Sequence, residues 1–110
     1  ETDNLQRRSD INMILNAVNQ YMADNNSAIP SVITTYEQEI SKSQVDLCSF
    51  IVPEYVAAFL TDPKVNKREA VKDCGVSYST GYTIYKNPSR KKITVRAPSA
   101  ELGERIEIAR

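Results

Sequence analysis

Few residues in this chain could do chemistry, and the first gap is histidine: none occurs among its 110 residues. A Ser-His-Asp triad or a Cys-His pair depends on an imidazole that exchanges protons near neutral pH, so both are excluded. Asp62, Glu69 and Asp73 are the carboxylates that could be weighed as an acid and a base, but nothing in their spacing sets two environments apart. No enzymatic activity is expected. The two cysteines, Cys48 and Cys74, have neither CxxC spacing nor a histidine to complete a zinc site, so no metal and no cofactor is expected.

The cysteines have two other readings. In an exported protein they would pair, whereas in a cytosolic one they would stay as reduced, buried thiols. The long irregular middle of the chain favours the pair, since closing a loop of this length stabilises a small domain by about 3 to 4 kcal/mol in the chain-entropy picture. A second cluster with chemical potential is the basic set Lys86, Arg90, Lys91, Lys92 and Arg96, with Tyr82 and Tyr85 nearby for stacking on bases. Such a hairpin could hold DNA or a charged cell-surface ligand, or could simply be solvated.

The formal net charge is zero, but residues 1–63 carry −6, residues 64–96 carry +7 and residues 97–110 carry −1. That split fits either a surface clustered by chance or one that complements a second copy of itself, in which case assembly would be sensitive to salt. No run of residues approaches the length of a spanning helix and no signal peptide opens the chain. The chain opens on Glu1 with no methionine. Either an upstream piece has been removed or Glu1 is the start of a processed protein.

These residues have to be positioned by a few elements. In residues 7–25 the apolar side chains Ile11, Ile14, Leu15, Val18, Tyr21 and Met22 recur at helical spacing. Asn12, Asn16 and Asn19 lie on the other side, and the Asp24-Asn25-Asn26-Ser27 cluster with Pro30 ends the helix. A weaker helix is predicted over residues 31–44, where Thr34 and Glu37 fit a capping box. A third, short one is predicted over residues 53–60, with Pro53 in its first turn. Past Gly75 the period becomes two: residues 78–86, the Ile93, Val95 and Ala97 run, and Ile106 with Ile108 predict a three-stranded antiparallel meander. A sheet this small needs a cover, and the first helix supplies it. The expectation is one α+β domain over residues 1–110: a helix over 1–26, an irregular loop with short helices over 27–76, and the sheet over 77–110.

That order of elements resembles the globular head of type IV pilins and type II secretion pseudopilins. The segment RRSDINMILNAVNQYMADNNSAIP (7–30) is similar to the family's stretch just past the membrane-spanning half of the helix: a basic pair, Ser-Asp-Ile, apolar residues at helical spacing, then an Asp-Asn rich end and a proline. PEYVAAFLTDP (53–63) is similar to the stretch ending in Asp-Pro that precedes the sheet in simpler members. The likeness is spread over most of the chain. It departs from the family in lacking the apolar N-terminal half-helix with its glutamate, and in placing Cys48 and Cys74 away from the C-terminal loop that many pilins close.

The resemblance implies a filament subunit, inner-membrane anchored by a missing N-terminal segment before assembly and extracellular afterwards. Its partners would be copies of itself and the pilus assembly machinery, and its work adhesion, twitching motility or DNA uptake. A secretion pseudopilin is the alternative within the family. Asn12, Asn16 and Asn19 become candidates for contacts between subunits, against the simpler reading of a solvated face. Some pseudopilin heads hold calcium, but Ser99, Glu101 and Glu104 are too sparse a set to do so here.

Overall fold

The computed structural model describes residues 2–26, 28–52, 54–56, 58–62, 70–71, 74–75, 77–87, 89, 92–98 and 106–109. Helix α1 (Thr2–Asp24) is followed by strand β1 (Gln38–Ser41), the one-turn helix α2 (Cys48–Ile51), the short strands β2 (Phe59–Leu60) and β3 (Ala70–Val71), and then β4 (Ser79–Asn87), β5 (Lys92–Ala97) and β6 (Ile106–Ala109). The architecture is α+β. One sheet is antiparallel in the order β1-β4-β5-β6, and β2 pairs with β3 in a separate two-stranded ribbon.

Helix α1 ends where asparagines take over the backbone. Asn25 donates its amide N–H to Met22 O (3.2 Å) and its side-chain Nδ2 to Tyr21 O (2.7 Å), satisfying two of the carbonyls that a helix end leaves open. Asn26 follows in the left-handed region at φ 56, a conformation asparagine tolerates better than most residues. The helix packs on β5 and β6, on α2, and on β2. Between helix and sheet lies one core, in which Ile11, Ile14, Leu15 and Val18 meet Ile84, Ile93, Val95 and Ile106, with Met22 and Ile108 partly buried at its margin. Each such side chain removed from water contributes roughly 1.5 to 3 kcal/mol.

The sheet has four strands where three were expected. The added strand is β1, and it lies inside residues 31–44, for which the sequence predicts a helix. The two residues read as a capping box are used otherwise. Thr34 accepts the N–H of Lys86 at its carbonyl (2.8 Å) and turns its hydroxyl to Tyr36 O (2.8 Å). Glu37 accepts from Thr83 Oγ1 (2.6 Å) and from Arg96 Nε (2.9 Å) across the sheet. Pairing to β4 thus outweighs a weak helical preference. The β1–β4 register runs Glu39↔Thr83 and then Ser41↔Ser79, so β4 carries extra residues there. Gly81 takes up the bulge at φ 81, where a side chain would be strained. Thr80 and Tyr82, on either side of Gly81, are both buried.

The helix predicted over residues 53–60 is also corrected. The turn of helix comes earlier, at α2, and Val52 closes it in an extended conformation (φ −104, ψ 132). A residue that precedes proline is pushed out of the helical region, so the chain leaves the helix at Val52. Tyr55 and Val56 donate back to Ile51 O (2.9 and 3.2 Å), and Phe59 and Leu60 are in β2.

Candidate functional site

The side chains of α1 fall on two stripes. Leu5, Arg8, Ser9, Asn16 and Gln20 are exposed, with Asn12 and Asn19 half-buried beside them. Asn12, Asn16 and Asn19 therefore share the face turned from the sheet, and Asn12 donates its Nδ2 to Arg8 O (3.1 Å), one turn back. The opposite stripe is apolar only from Ile11 onward. In its first turns it is polar: Asn4, Arg7 and Asp10 are buried.

Arg7 is the centre of that polar region. It is fully buried, and so is its partner Asp62, which comes from the segment after β2. Its Nε and Nη2 reach the two oxygens of Asp62 at 2.7 and 3.1 Å, a fork-on-fork pair, while Nη1 donates to Asn4 Oδ1 at 2.8 Å. The Asp62 N–H is itself held by Thr80 O (2.8 Å), which ties the carboxylate's backbone to β4. One turn further along α1, Asp10 Oδ2 accepts the hydroxyl of the buried Tyr82 at 2.6 Å. Thr61 Oγ1 is buried beside this cluster and has no hydrogen-bond partner among the described residues.

The other end of α1 is clasped by aromatic rings. Tyr21 meets Phe50 and Tyr55 edge to face, at centroid separations of 5.7 and 6.0 Å. Tyr55 also donates its hydroxyl to Asp24 Oδ2 (2.8 Å), and that bond pushes the phenol up to about 12. Next to it the disulfide Cys48–Cys74 joins the start of α2 to the segment before β4, with Cα atoms 5.5 Å apart. The disulfide lies against the apolar core and is flanked by polar contacts: Tyr78 donates to Asp46 Oδ1 (2.8 Å) and accepts from the Cys48 N–H (3.3 Å). Lys42 Nζ reaches Cys74 O (2.8 Å) and Asp46 Oδ2 (3.3 Å). Burial, together with the Asp46 bond, raises the Tyr78 phenol well above the ordinary range.

The basic set is not brought together on one face. In the β4–β5 pairing Lys86 stands opposite Ile93, on the side that α1 covers, and is half-buried. Lys92 and Arg96 alternate with the core residues Ile93, Val95 and Ala97 and so belong to the other side. Arg96 is paired with Glu37 and stands opposite Glu107 of β6 in register. Tyr82, weighed for stacking on a base, is in the core and bonded to Asp10; Tyr85, half-buried, belongs to the same side as Lys92. Arg90 and Lys91 lie outside the described residues, as do Glu69, Asp73, Ser99, Glu101 and Glu104. Of the three carboxylates weighed as acid and base, Asp62 is committed to Arg7.

Among the described residues no group of three or more His, Cys, Asp or Glu could hold a metal ion, and no helix is long and apolar enough to cross a membrane. The Arg7–Asp62 pair was not anticipated from the sequence, although a signal was there. Positions 4, 7, 11, 14, 15 and 18 form one continuous helical stripe, so Asn4 and Arg7 fall on the face to be buried and Arg8 does not. No protein-family model, no curated protein and no solved structure matches the chain.

Proposed function

We propose that this chain is the globular head of a type IV pilin-type filament subunit, which works by packing against copies of itself around a shared bundle of helices. The observation that carries the reading is the division of α1: one stripe is covered by an antiparallel sheet, and the other, with Leu5, Arg8, Asn16 and Gln20 exposed and Asn12 half-buried, faces outward from Leu5 to Gln20. A helix that bundles with copies of itself needs such a stripe. The amides suit it, because they can satisfy one another in either direction across a contact. The disulfide agrees with an oxidising, extracellular setting.

Pili on the cell surface, with adhesion, motility or DNA uptake as their use, are the form of the proposal. A secretion pseudopilin would use the same contacts. The nucleic-acid reading is the weaker one here, since Arg96 is neutralised by Glu37 and Tyr82 is buried. The test is to shear the surface of the producing cell and look for the chain in thin filaments by immunogold microscopy. Filaments decorated along their length are expected. A chain found only inside the cell, with filaments unlabelled, would rule the proposal out.

A further inference from the structure

The buried ion pair and the disulfide meet in one loop. Asp62 lies near the middle of the segment that Cys48–Cys74 closes, a separation of 26 residues. Arg7 lies outside that segment, on α1, and is fully buried against it. A buried guanidinium is tolerated only with its carboxylate in place, so the first turns of α1 can dock only where this loop presents Asp62. The C-terminal end of α1 also touches the loop, where Tyr21 meets Phe50 and Tyr55, but the middle turns have a separate support: Ile14, Leu15 and Val18 are buried with Ile93, Val95 and Ile106, none of which belongs to the loop.

Among the described residues, two features hold the loop in the presenting conformation. One is the Asp62 N–H bond to Thr80 O, and the other is the covalent tie at Cys74, whose carbonyl is also gripped by Lys42. Within the loop, β2 pairs with β3 immediately before Asp62 (Phe59↔Val71, Leu60↔Ala70), so the two arms of the loop support each other. Cutting the tie at Cys74 frees the arm that carries β3.

We propose that the Cys48–Cys74 disulfide is an oxidation-dependent latch on helix α1: closing it fixes Asp62 opposite Arg7, and the first turns of α1 dock only in the oxidised chain. The step takes two electrons and two protons from the Cys48 and Cys74 thiols. A donor disulfide accepts both and leaves as two thiols. Because disulfide and ion pair favour the same loop conformation, each strengthens the other, and the coupling is reciprocal. A reduced chain keeps the middle turns of α1 on the sheet while its first turns detach. The polar first turns are what make this selective, since an apolar stripe there would dock with or without the loop.

The experiment is amide hydrogen exchange on the wild-type chain, on Cys48→Ala/Cys74→Ala, and on both again in an Arg7→Met/Asp62→Leu background. Removing the cysteines is expected to lower protection over residues 4–10 by about tenfold more than over residues 14–18 or β5. In the Met/Leu background that excess should vanish. Equal loss of protection in helix and sheet would overturn the latch, and so would an excess that persists without the ion pair. If the cysteine-free chain does not fold, the quadruple variant decides: its folding supports the proposal, and its failure to fold contradicts it.

Discussion

The two halves of α1 are held by different physics. From Ile11 to Val18 the helix is buried mainly through branched aliphatic side chains, which attract any apolar surface of roughly the right shape. From Asn4 to Asp10 it is buried through a bidentate ion pair and a phenol–carboxylate bond, which are satisfied in one geometry and costly in all others. The apolar half therefore supplies affinity between helix and sheet, and the polar half supplies register. If α1 continues into a filament core, as proposed, register is the property that matters most at that end. A helix that slid or rolled on its own head would move every subunit contact with it.

The comparison can be broken most forcefully at Asp62. Asp62→Ala leaves Arg7 buried without its carboxylate and should cost about 3 to 5 kcal/mol in urea unfolding, whereas Arg7→Met/Asp62→Leu should come within about 1 kcal/mol of wild type or exceed it. An Asp62→Ala cost no larger than that of an ordinary surface change would show that the polar half is not anchored by this pair. In the apolar half, Leu15→Ala should cost about 3 kcal/mol through lost burial and an unfilled cavity, while Leu15→Met should cost less than about 1.5 kcal/mol. By contrast Arg7→Lys, equally conservative on paper, loses the fork and should be the more damaging of the two mild changes.

Much of the apolar half was legible in the sequence. Ile11, Ile14, Leu15 and Val18 announce their stripe by spacing, and Ile84, Ile93, Val95 and Ile106 theirs by alternation, because burial of apolar groups leaves a periodic trace. The polar half leaves no such trace. Arg7 beside Arg8 reads as a basic pair at the surface, and its carboxylate is 55 residues away, so only the fold joins them. Strand β1 was missed for a related reason: Gln38-Glu39-Ile40-Ser41 has one apolar residue, and what makes it a strand is pairing to β4. The disulfide was one of two readings open to the cysteines, and the fold brings them together.

Smaller effects sharpen the comparison further. Tyr82→Phe removes the hydrogen bond from the Tyr82 hydroxyl to Asp10 and should cost about 2 kcal/mol, more than the loss of a hydroxyl at the surface. At the far end of α1, Tyr55 titrates at about 12 when folded against about 10 when unfolded. The phenol's bond to Asp24 thus stabilises the fold in full below pH about 10 and is lost as pH climbs toward 12. Phenolate absorbance should show one tyrosine titrating late for this reason, and Tyr55→Phe or Asp24→Asn should abolish that late step. Tyr78, raised by burial, should titrate later still and be unaffected by either change.

The filament proposal rests on the exposed stripe of α1, and the most direct test is to charge it. Asn12→Glu with Asn16→Glu places like charges on that stripe in every copy while leaving the core, the ion pair and the disulfide untouched. In the producing cell, filament yield should fall by more than about tenfold, because juxtaposed like charges oppose association, while the purified variant keeps the wild-type circular dichroism and melting curve. Undiminished filaments from a folded double variant would contradict the account.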